Sequence, residues 1–377
     1  MSRILILLFI IIFSSCKNEE AKPATSINEG KTIKVEYAKG FSLLQFDGYK
    51  LLKVNNPWPN ADKNFTYLLF EKEAIVPENI PFDFKIEIPI KKIVVTSTTH
   101  IPSLEALNEV STLVGFPGLY YISSEKTRER ITNEKITELG KNESINTEVL
   151  ISLSPDAVIG FAVDGNNKTF NTIQKSGIPV LYNGDWTEES PLGKAEWIKF
   201  FGALYNKDVL AAEHFNKIKE SYLSAKDLAK KATTNPTVLS GSMYKDQWYV
   251  PYGNSWQAQF IKDANAEYIY ANTSGSGSIV LSFESVLNDS QEAEYWVAPG
   301  QFKSFQQLSE TSPHYFQFKA VKDKKVYTYS NTLGATGGVL YYELAPNRPD
   351  LVLKDLISIF HPELLPNYKT TFFKPLQ

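Results

Sequence analysis

Aromatic and polar side chains follow the apolar, strand-like runs of this chain. The candidates in chain order are Thr99, His100, Tyr120, Tyr121, Phe161, Trp186, Trp248, Tyr249, Trp256 and Asn331. Open α/β sheets bind ligands at the carboxyl ends of their strands, where such loops lie. Aromatic walls with few hydrogen-bonding groups suit a large, flat molecule with apolar faces and a polar rim. The pattern therefore predicts a binding cleft, and core packing is the competing explanation for any one of these rings.

The sequence lacks the signatures of several enzyme classes. It contains no Gly-x-Ser-x-Gly nucleophile elbow and no His-Glu-x-x-His zinc motif. A metal site needs three or four convergent ligands, whereas the histidines other than His100 fall on predicted helices or distant loops. We therefore predict binding rather than catalysis, with no cofactor and no site for a free metal ion. A secreted α/β hydrolase is the alternative from another class.

A glycine-rich loop is a further candidate site. Residues 334–338 read Gly-Ala-Thr-Gly-Gly and precede an apolar segment. Free backbone amides at a helix start can hold an anion, but the Gly-Lys-Ser/Thr ending of a Walker loop is missing. A tight turn that lets the loop pack closely is the competing explanation.

The composition is that of a globular protein without a polyanionic partner. The chain has 377 residues, of which 43% are apolar and 21% charged, and its formal net charge is −3. Nucleic-acid-binding surfaces need a clustered excess of lysine and arginine, so we expect no nucleic acid partner. The length favours more than one lobe.

The single cysteine, Cys16, stands directly after an apolar N-terminal run. Residues 1–15 combine Arg3 with an apolar stretch over residues 4–13, which is shorter than the about 20 residues that span a bilayer. Such a segment is typical of a secretory signal peptide, and the small residues before the cysteine resemble the lipobox of bacterial lipoproteins. We predict a lipid on Cys16 and a polar tether over residues 16–30. An ordinary signal peptide is the alternative.

Hydrophobic periodicity divides the rest of the chain into four parts. Residues 31–90 alternate like antiparallel strands and predict a β-rich extension. Residues 91–190 and 235–377 alternate strands with helices, as parallel α/β lobes do. Residues 191–234 form a linker, whose second half has helical spacing over about residues 206–232 without glycine or proline. The predicted fold class is α/β, with two Rossmann-like lobes joined by a long backbone helix and an N-terminal β-rich extension.

Several local patterns together resemble one known family. They are Ile93–Leu107 (IVVTSTTHIPSLEAL), Asn146–Gly160 (NTEVLISLSPDAVIG), Ser176–Leu181 (SGIPVL), Leu281–Leu287 (LSFESVL) and Arg348–Pro362 (RPDLVLKDLISIFHP). The chain is similar in these stretches to the periplasmic binding proteins for cobalamin and ferric siderophores, whose two lobes are bridged by a rigid helix. The resemblance does not extend to residues 31–90.

The resemblance implies roles for individual residues. In cobalamin-binding members, one glutamate on each lobe contacts arginines of the membrane permease, and Glu148 and Glu284 occupy the matching positions. A favourable interaction with the helix dipole is the competing explanation for both. Phe161 matches an aromatic residue that stacks on the ligand. Heme-binding members carry Gly-Tyr where this chain has Gly140-Lys141, which argues against an axial tyrosine there.

These observations predict a lipid-anchored, monomeric substrate-binding protein of an ABC importer. Its ligand is expected to be a bulky metal chelate, either a ferric siderophore or cobalamin, and its partner the permease dimer of the importer. The expected location is the periplasmic or cell-surface side of a bacterial membrane. A surface chelate scavenger without an ABC partner is the remaining alternative.

Overall fold

The computed structural model describes residues 30–377. The predicted signal peptide, Cys16 and nearly all of the predicted tether lie outside these residues. Within residues 30–377, no helix has both the length and the apolar character needed to cross a membrane. The described residues form an N-terminal sheet and two α/β lobes, which confirms the predicted fold class.

The N-terminal sheet has five strands, arranged in their order along the chain. The first four strands pair antiparallel, whereas the last two run parallel. This parallel pair corrects the prediction of a wholly antiparallel unit, because the long connection over residues 72–83 returns the chain to the same end of the sheet. The strands are β1 (Lys31–Ile33), β2 (Phe41–Gln45), β3 (Tyr49–Val54), β4 (Phe65–Glu71) and β5 (Phe84–Ile88).

The N-terminal sheet shares its hydrophobic core with the following lobe. Its buried side chains, such as Leu43 and Tyr67, belong to the same apolar cluster as Val94 and Ile159 of that lobe. Alternating residues of each strand face this cluster, as the period of a half-buried strand requires. Residues 31–90 are therefore part of the N-terminal half of the molecule and not a separately packed appendage.

The N-terminal lobe is a parallel sheet flanked by helices. Its strand order is β12-β11-β6-β7-β8, with a separate two-stranded hairpin of β9 and β10. The strands are β6 (Ile93–Val95), β7 (Leu113–Phe116), β8 (Thr137–Glu138), β9 (Gly140–Lys141), β10 (Ser144–Ile145), β11 (Ala157–Gly160) and β12 (Val180–Tyr182). The helices are α1 (Ile101–Ala106), α2 (Glu125–Thr132), α3 (Thr147–Leu153) and α4 (Lys168–Lys175).

Three helices lead from one lobe to the other. They are α5 (Pro191–Glu196), α6 (Ile198–Leu204) and α7 (Asp208–Ala229). The last has 22 residues and lies within the predicted range. Lys50 of β3 is buried and its ammonium group donates a hydrogen bond to Asn206 and pairs with Asp208. The N-terminal sheet is thereby tied to the start of α7.

The C-terminal lobe has a second mixed sheet and a smaller antiparallel one. The main sheet has the order β16-β13-β18-β19-β20, and β14, β15 and β17 form the smaller sheet. The strands are β13 (Thr237–Ser240), β14 (Ser242–Tyr244), β15 (Gln247–Pro251), β16 (Glu267–Tyr268), β17 (Ser278–Leu281), β18 (Tyr295–Val297), β19 (Val326–Thr328) and β20 (Lys374–Pro375). The helices are α8 (Trp256–Asp263), α9 (Phe283–Ser290), α10 (Phe305–Thr311), α11 (Lys319–Lys322), α12 (Leu340–Leu344) and α13 (Pro349–Phe360).

Candidate functional site

In each main sheet, the strand that comes first in the chain lies in the interior, with later strands on both sides of it. In the N-terminal lobe β6 lies between β7 and β11, and in the C-terminal lobe β13 lies between β16 and β18. Loops that leave neighbouring strands in opposite directions open a crevice at the carboxyl ends, which is where open α/β sheets bind ligands. The structure therefore places one such crevice in each lobe.

The central cavity lies between the lobes, at the crevice of the parallel sheet in the N-terminal lobe. It has a volume of about 780 Å³ and is lined by the loops after β6 and β7 and by Phe161, which follows β11. Residues 338, 339, 342 and 343 of the C-terminal lobe close its other side. Both lobes thus contribute to this cavity.

The C-lobe cavity lies at the crevice of the second sheet. It has a volume of about 660 Å³ and is lined by the loops after β13 and β18, by α10 and by Tyr329. The exposed Tyr342 lines both this cavity and the central cavity. The two cavities therefore adjoin at Tyr342, and we call them together the cleft. Its central half lies between the lobes, whereas all lining residues of the other half belong to the C-terminal lobe.

The tryptophan cavity is a third space, which the N-terminal sheet helps to build. It has a volume of about 810 Å³ and is lined by Trp58 from the loop after β3, by Trp186 from the loop after β12 and by Trp256 at the start of α8. Phe161 of the central cavity contacts Trp186, with their ring centroids 5.5 Å apart. The two cavities are therefore neighbours along the N-terminal lobe.

A row of aromatic rings runs along the C-terminal side of the cleft. Tyr329 and Tyr341 are stacked with centroids 4.3 Å apart. Trp256 lies 6.3 Å from Tyr341, and Tyr342 lies 5.5 Å from Tyr329. The row connects the tryptophan cavity to the point where the two other cavities meet. Ring pairs of this kind hold each other in fixed orientations.

Five of the ten predicted ligand-binding residues line a cavity. The two neighbouring tyrosines Tyr120 and Tyr121 are 57% and 56% exposed at the central cavity, and their ring centroids are 4.0 Å apart. Phe161 lines the same cavity, and Trp186 and Trp256 line the tryptophan cavity. The indole N–H of Trp186 is buried and has no hydrogen-bond partner among the described residues.

The predictions for His100 and Trp248 are wrong. Trp248 is fully buried and packs between Trp296 and Phe318 in the core of the C-terminal lobe. His100 is 1% exposed and packs against Phe201, and burial lowers its pKa to about 3. Both residues stand beside polar loops in the sequence, but their side chains point into the core, where apolar contacts hold them.

The three remaining predicted residues lie outside the described cavities. The hydroxyl of Thr99 donates a hydrogen bond to Asp185, and the amide of Asn331 donates one to the carbonyl of Lys303. Tyr249 is half-buried within β15. None of the three lines the central, C-lobe or tryptophan cavity. Their polar groups serve the protein's own structure.

The glycine-rich loop over residues 334–338 joins the two lobes. The hydroxyl of Thr336 donates a hydrogen bond to the carbonyl of Tyr120, and the carboxylate of Glu343 accepts hydrogen bonds from the N–H groups of Ser123 and Ser124 at 2.6 and 2.9 Å. A side chain at Gly338 would come within 2.9 Å of the carbonyl of Tyr121. Close packing is thus the explanation that the structure favours for these glycines.

The described residues contain no group of three or more His, Cys, Asp or Glu side chains that could hold a metal ion. The cleft can therefore receive a ligand through shape, apolar contact and hydrogen bonding. Its lining combines aromatic rings with polar side chains and backbone groups, and both kinds of group occur in small-molecule sites.

Comparison with known proteins decides the family. The model of the periplasmic binding protein family matches residues 93–333. The chain belongs to this family. It is 29% identical to an uncharacterized lipoprotein of Methanocaldococcus jannaschii, over 97% of this chain and 90% of that protein. Its residues therefore serve solute binding for import of the ABC type, as predicted, and not catalysis.

Two solved periplasmic binding proteins have a similar fold. A heme-binding protein from Pseudomonas aeruginosa is 17% identical, with a TM-score of 0.56 over 76% of this chain and 98% of that chain. The vitamin B12-binding protein of Vibrio cholerae is 11% identical, with a TM-score of 0.51 over 74% of this chain and 99% of that chain. At these identities the likeness shows the shared fold alone.

The two glutamates with a predicted docking role occupy equivalent places in this periplasmic binding protein. Glu148 is in the first turn of α3, which is capped by the side chain of Asn146. Glu284 is in the first turn of α9, capped by Ser282, and hydrogen bonds to its own N–H and to Ser282 lower its pKa. Both glutamates are exposed. Each lobe thus presents one carboxylate at a helix N-terminus, where the dipole favours its charge.

Three residues that line the cavities were not predicted from the sequence. Trp58 lies in an Asn-Pro-Trp-Pro-Asn loop of the N-terminal sheet, a segment outside the family match. Tyr329 and Tyr342 come from two segments of the C-terminal lobe that meet only in the fold. A tryptophan between two prolines is a signal for an ordered, ring-presenting loop. No comparable local signal distinguishes the two tyrosines.

Proposed function

We propose that this protein binds a bulky metal chelate, either a ferric siderophore or cobalamin, in the interlobe cleft and delivers it to the permease dimer of an ABC importer. The supporting observation is the aromatic cleft, whose cavities of about 780 and 660 Å³ meet at Tyr342. Spaces of this size suit an organic ligand and not a bare ion. The metal of a chelate is already coordinated by the chelate itself, so the protein needs to contact only the outer surface of the ligand.

The relatives of similar fold support this ligand class. One of them binds heme and another binds vitamin B12, and both ligands are large chelates with apolar faces. The residue Lys141 lines the central cavity in the place where heme-binding members carry tyrosine. This replacement favours a chelate whose metal is already saturated by its own ligands over heme.

The direct experiment is to purify the protein from its own host and to identify what it carries. We expect a visible absorbance band, an equimolar metal by elemental analysis and the mass of a chelate by native mass spectrometry. The matched variant Tyr342→Ala, which removes the ring between the two halves of the cleft, should carry less of the chelate than the wild-type protein does. A metal-free peptide or sugar in the wild-type protein would refute the proposal.

The proposed lipid anchor is tested separately at Cys16. Two acyl chains or an equivalent pair of signals are needed for stable attachment, so Cys16→Ser should move the protein from the membrane to the soluble fraction. Ser15→Ala is a suitable control, because it keeps a small residue before the cysteine. A Cys16→Ser protein that stays with membranes after a salt wash would contradict lipidation.

Docking to the permease is proposed for Glu148 and Glu284. Two like charges on two similar lobes complement the two-fold symmetry of a permease dimer, and exposed charges of this kind guide encounter and orientation. Neither glutamate lines one of the three cavities. Their charge is therefore free to serve a partner without affecting the ligand.

A further inference from the structure

The charged side chains around the cleft are mostly acidic. Only two lysines, Lys39 and Lys141, line the three cavities, and none of the lining residues is an arginine. The lining carboxylates are those of Glu138, Glu143, Glu188, Glu189, Glu310 and Glu343. The tryptophan cavity itself has two of them, Glu188 and Glu189, together with Lys39. The carboxylate of Glu188 is buried and accepts hydrogen bonds from the N–H groups of Lys39 and Gly40, so Glu189 is the exposed carboxylate there. A carboxylate at a cavity lowers the affinity for anions and raises it for cations.

The described arginines are all bound within the protein. Arg128 donates a hydrogen bond to the carbonyl of Leu119 at 2.6 Å, and Arg130 donates one to the carbonyl of Ser111 at 2.9 Å. Arg348 forms a bidentate salt bridge with Asp350. Proteins recognise carboxylate and phosphate groups mainly through such guanidinium groups. The cleft lacks this means of binding an anionic ligand.

The tryptophan cavity offers hydrogen-bonding groups in addition to its rings. Its carboxamides are those of Asn56, Asn60, Asn254 and Gln257. The carboxylate of Glu189 is exposed beside them and accepts a weak hydrogen bond from Asn254. These groups suit a polar arm that has carbonyl, hydroxyl or amine groups and no negative charge.

The N-terminal sheet forms one wall of this cavity. Its lining comes from three separate parts of the fold, namely residues 39–60 of the N-terminal sheet, residues 186–189 of the N-terminal lobe and residues 254–278 of the C-terminal lobe. Trp58 is held in place by Phe65 and Tyr182. The family match begins at residue 93, so this wall is an addition to the part of the chain that the family shares.

We infer that the tryptophan cavity is a second compartment of the ligand site, which receives an uncharged or cationic arm of the chelate and disfavours an anionic one. This inference rests on the proposed function, because the chelate body occupies the adjoining central cavity. It gives the N-terminal sheet a role in ligand selection. The contact between Phe161 and Trp186 is the boundary between the two compartments.

The positions of the tryptophans make fluorescence a direct probe of this cavity. The chain has six tryptophans. Trp197, Trp248 and Trp296 are at most 2% exposed, so ionic quenchers do not reach them. The other three, Trp58, Trp186 and Trp256, all line the tryptophan cavity. Trp58 is only 7% exposed, so the half-buried Trp186 and Trp256 are the rings that quenchers reach most readily.

The first experiment compares quenching by caesium, iodide and acrylamide at constant ionic strength, each relative to free N-acetyltryptophanamide. We expect the relative quenching constants of caesium and of the neutral acrylamide to exceed that of iodide by about twofold or more. The reason is that unscreened charge within a Debye length changes the local ion concentration. Glu189→Lys should reduce the preference for caesium. Glu73→Lys is the matched control, since it changes the net charge equally on an exposed residue of the N-terminal sheet that lines no described cavity. Equal or stronger quenching by iodide in the wild type would overturn the inference.

The second experiment measures binding of one iron chelate with three different arms. The probes are ferrioxamine B with its free amine, its N-acetyl derivative and its N-succinyl derivative, whose arms are cationic, neutral and anionic. The succinyl derivative should bind at least about tenfold more weakly than the other two. Glu189→Lys should shrink this difference and Glu73→Lys should leave it unchanged.

Asn60→Gly then tests the wall itself. Asn60 has a left-handed backbone with a φ of 57°, which glycine adopts without strain, so the substitution removes only the carboxamide. It should weaken the amine and acetyl derivatives severalfold. Asn108→Gly is the matched control, because Asn108 is exposed and has a φ of 58°. Unchanged affinities for the amine and acetyl derivatives in Asn60→Gly, together with an undiminished difference between the succinyl derivative and the other two in Glu189→Lys, would overturn the compartment. Failure of all three probes to bind would count against the chelate proposal, while the quenching order would still decide the charge preference.

Discussion

The two lobes place similar tryptophan residues in opposite environments. Trp186 follows β12, the last strand of the N-terminal lobe, is half-buried and lines the tryptophan cavity. Trp248 lies inside β15 of the C-terminal lobe and is fully buried, with its ring centroid 5.3 Å from that of Trp296. In this pair, the tryptophan beyond the end of a strand lines a cavity, whereas the one within a covering strand completes the core.

The smaller sheet of the C-terminal lobe explains this difference. Its three strands β14, β15 and β17 form an antiparallel layer, and their inward face has to be covered by other apolar side chains. Trp248 supplies that cover together with Phe283 and Tyr315. The N-terminal lobe has only the two-stranded hairpin β9–β10 in the corresponding part of the chain, so its aromatic loops are free to line the cleft.

The largest effect is expected where the two lobes are alike, at Glu148 and Glu284. The double variant Glu148→Lys with Glu284→Lys should bind ligand with near-normal affinity and fail to deliver it to the permease reconstituted in vesicles. The reason is that exposed charges control encounter and orientation, and added salt should reproduce part of the defect in the wild type. Unchanged uptake would mean that both residues only stabilise the starts of their helices. Loss of ligand binding would mean that they lie in the cleft.

The second test uses the two tryptophans that differ between the lobes. Trp248→Ala should lower the free energy of unfolding by about 3–5 kcal/mol, as loss of a buried indole does. Trp186→Ala should leave that free energy nearly unchanged and weaken ligand binding by about 1–3 kcal/mol, the value of burying one large apolar side chain. Urea denaturation and ligand titration of both variants measure the difference. Equal stability losses would mean that the two side chains play the same structural role.

The contact between the lobes provides a smaller effect. Glu343→Ala removes the acceptor of two backbone N–H groups, of which that of Ser123 is buried, and should cost about 1–3 kcal/mol. Burial raises the pKa of Glu343 above 4.5, so its ionised form is disfavoured in the folded protein. The wild type should therefore gain stability relative to the variant as the pH falls through this raised pKa towards 4.5. Urea unfolding at several pH values measures this, with Glu73→Ala as the exposed control. A difference that shrinks as the pH falls would contradict the assignment.

The smallest effect is expected in the overall shape. The 22-residue helix α7 follows α5 and α6 in the connection between the lobes, and the hydrogen bonds of Thr336 and Glu343 hold the lobes together on the cleft side. Hinge motion between lobes requires a few flexible residues, which this arrangement does not offer. Solution scattering profiles with and without ligand should nearly superimpose. A large compaction on binding would show that these interlobe contacts open and close.

Local patterns were sufficient to predict the long helix and most strands. The range of about 206–232 is free of glycine and proline, and α7 occupies Asp208–Ala229 within it. Helical spacing and strand alternation depend on residues that are close in the chain. The same applies to Glu148 and Glu284, whose helix starts are marked by the capping residues Asn146 and Ser282.

The sequence by itself determined the order of the elements, the class of the fold and the two equivalent glutamates. Only the tertiary structure decided which side chains line the cavities. Alternation within β15 assigns Trp248 and Tyr249 to opposite faces but does not say which face a second layer covers. Likewise Trp58, Trp186 and Trp256 come from segments far apart in the chain and meet at one cavity. Burial and convergence depend on the packing of distant surfaces, which no local pattern contains.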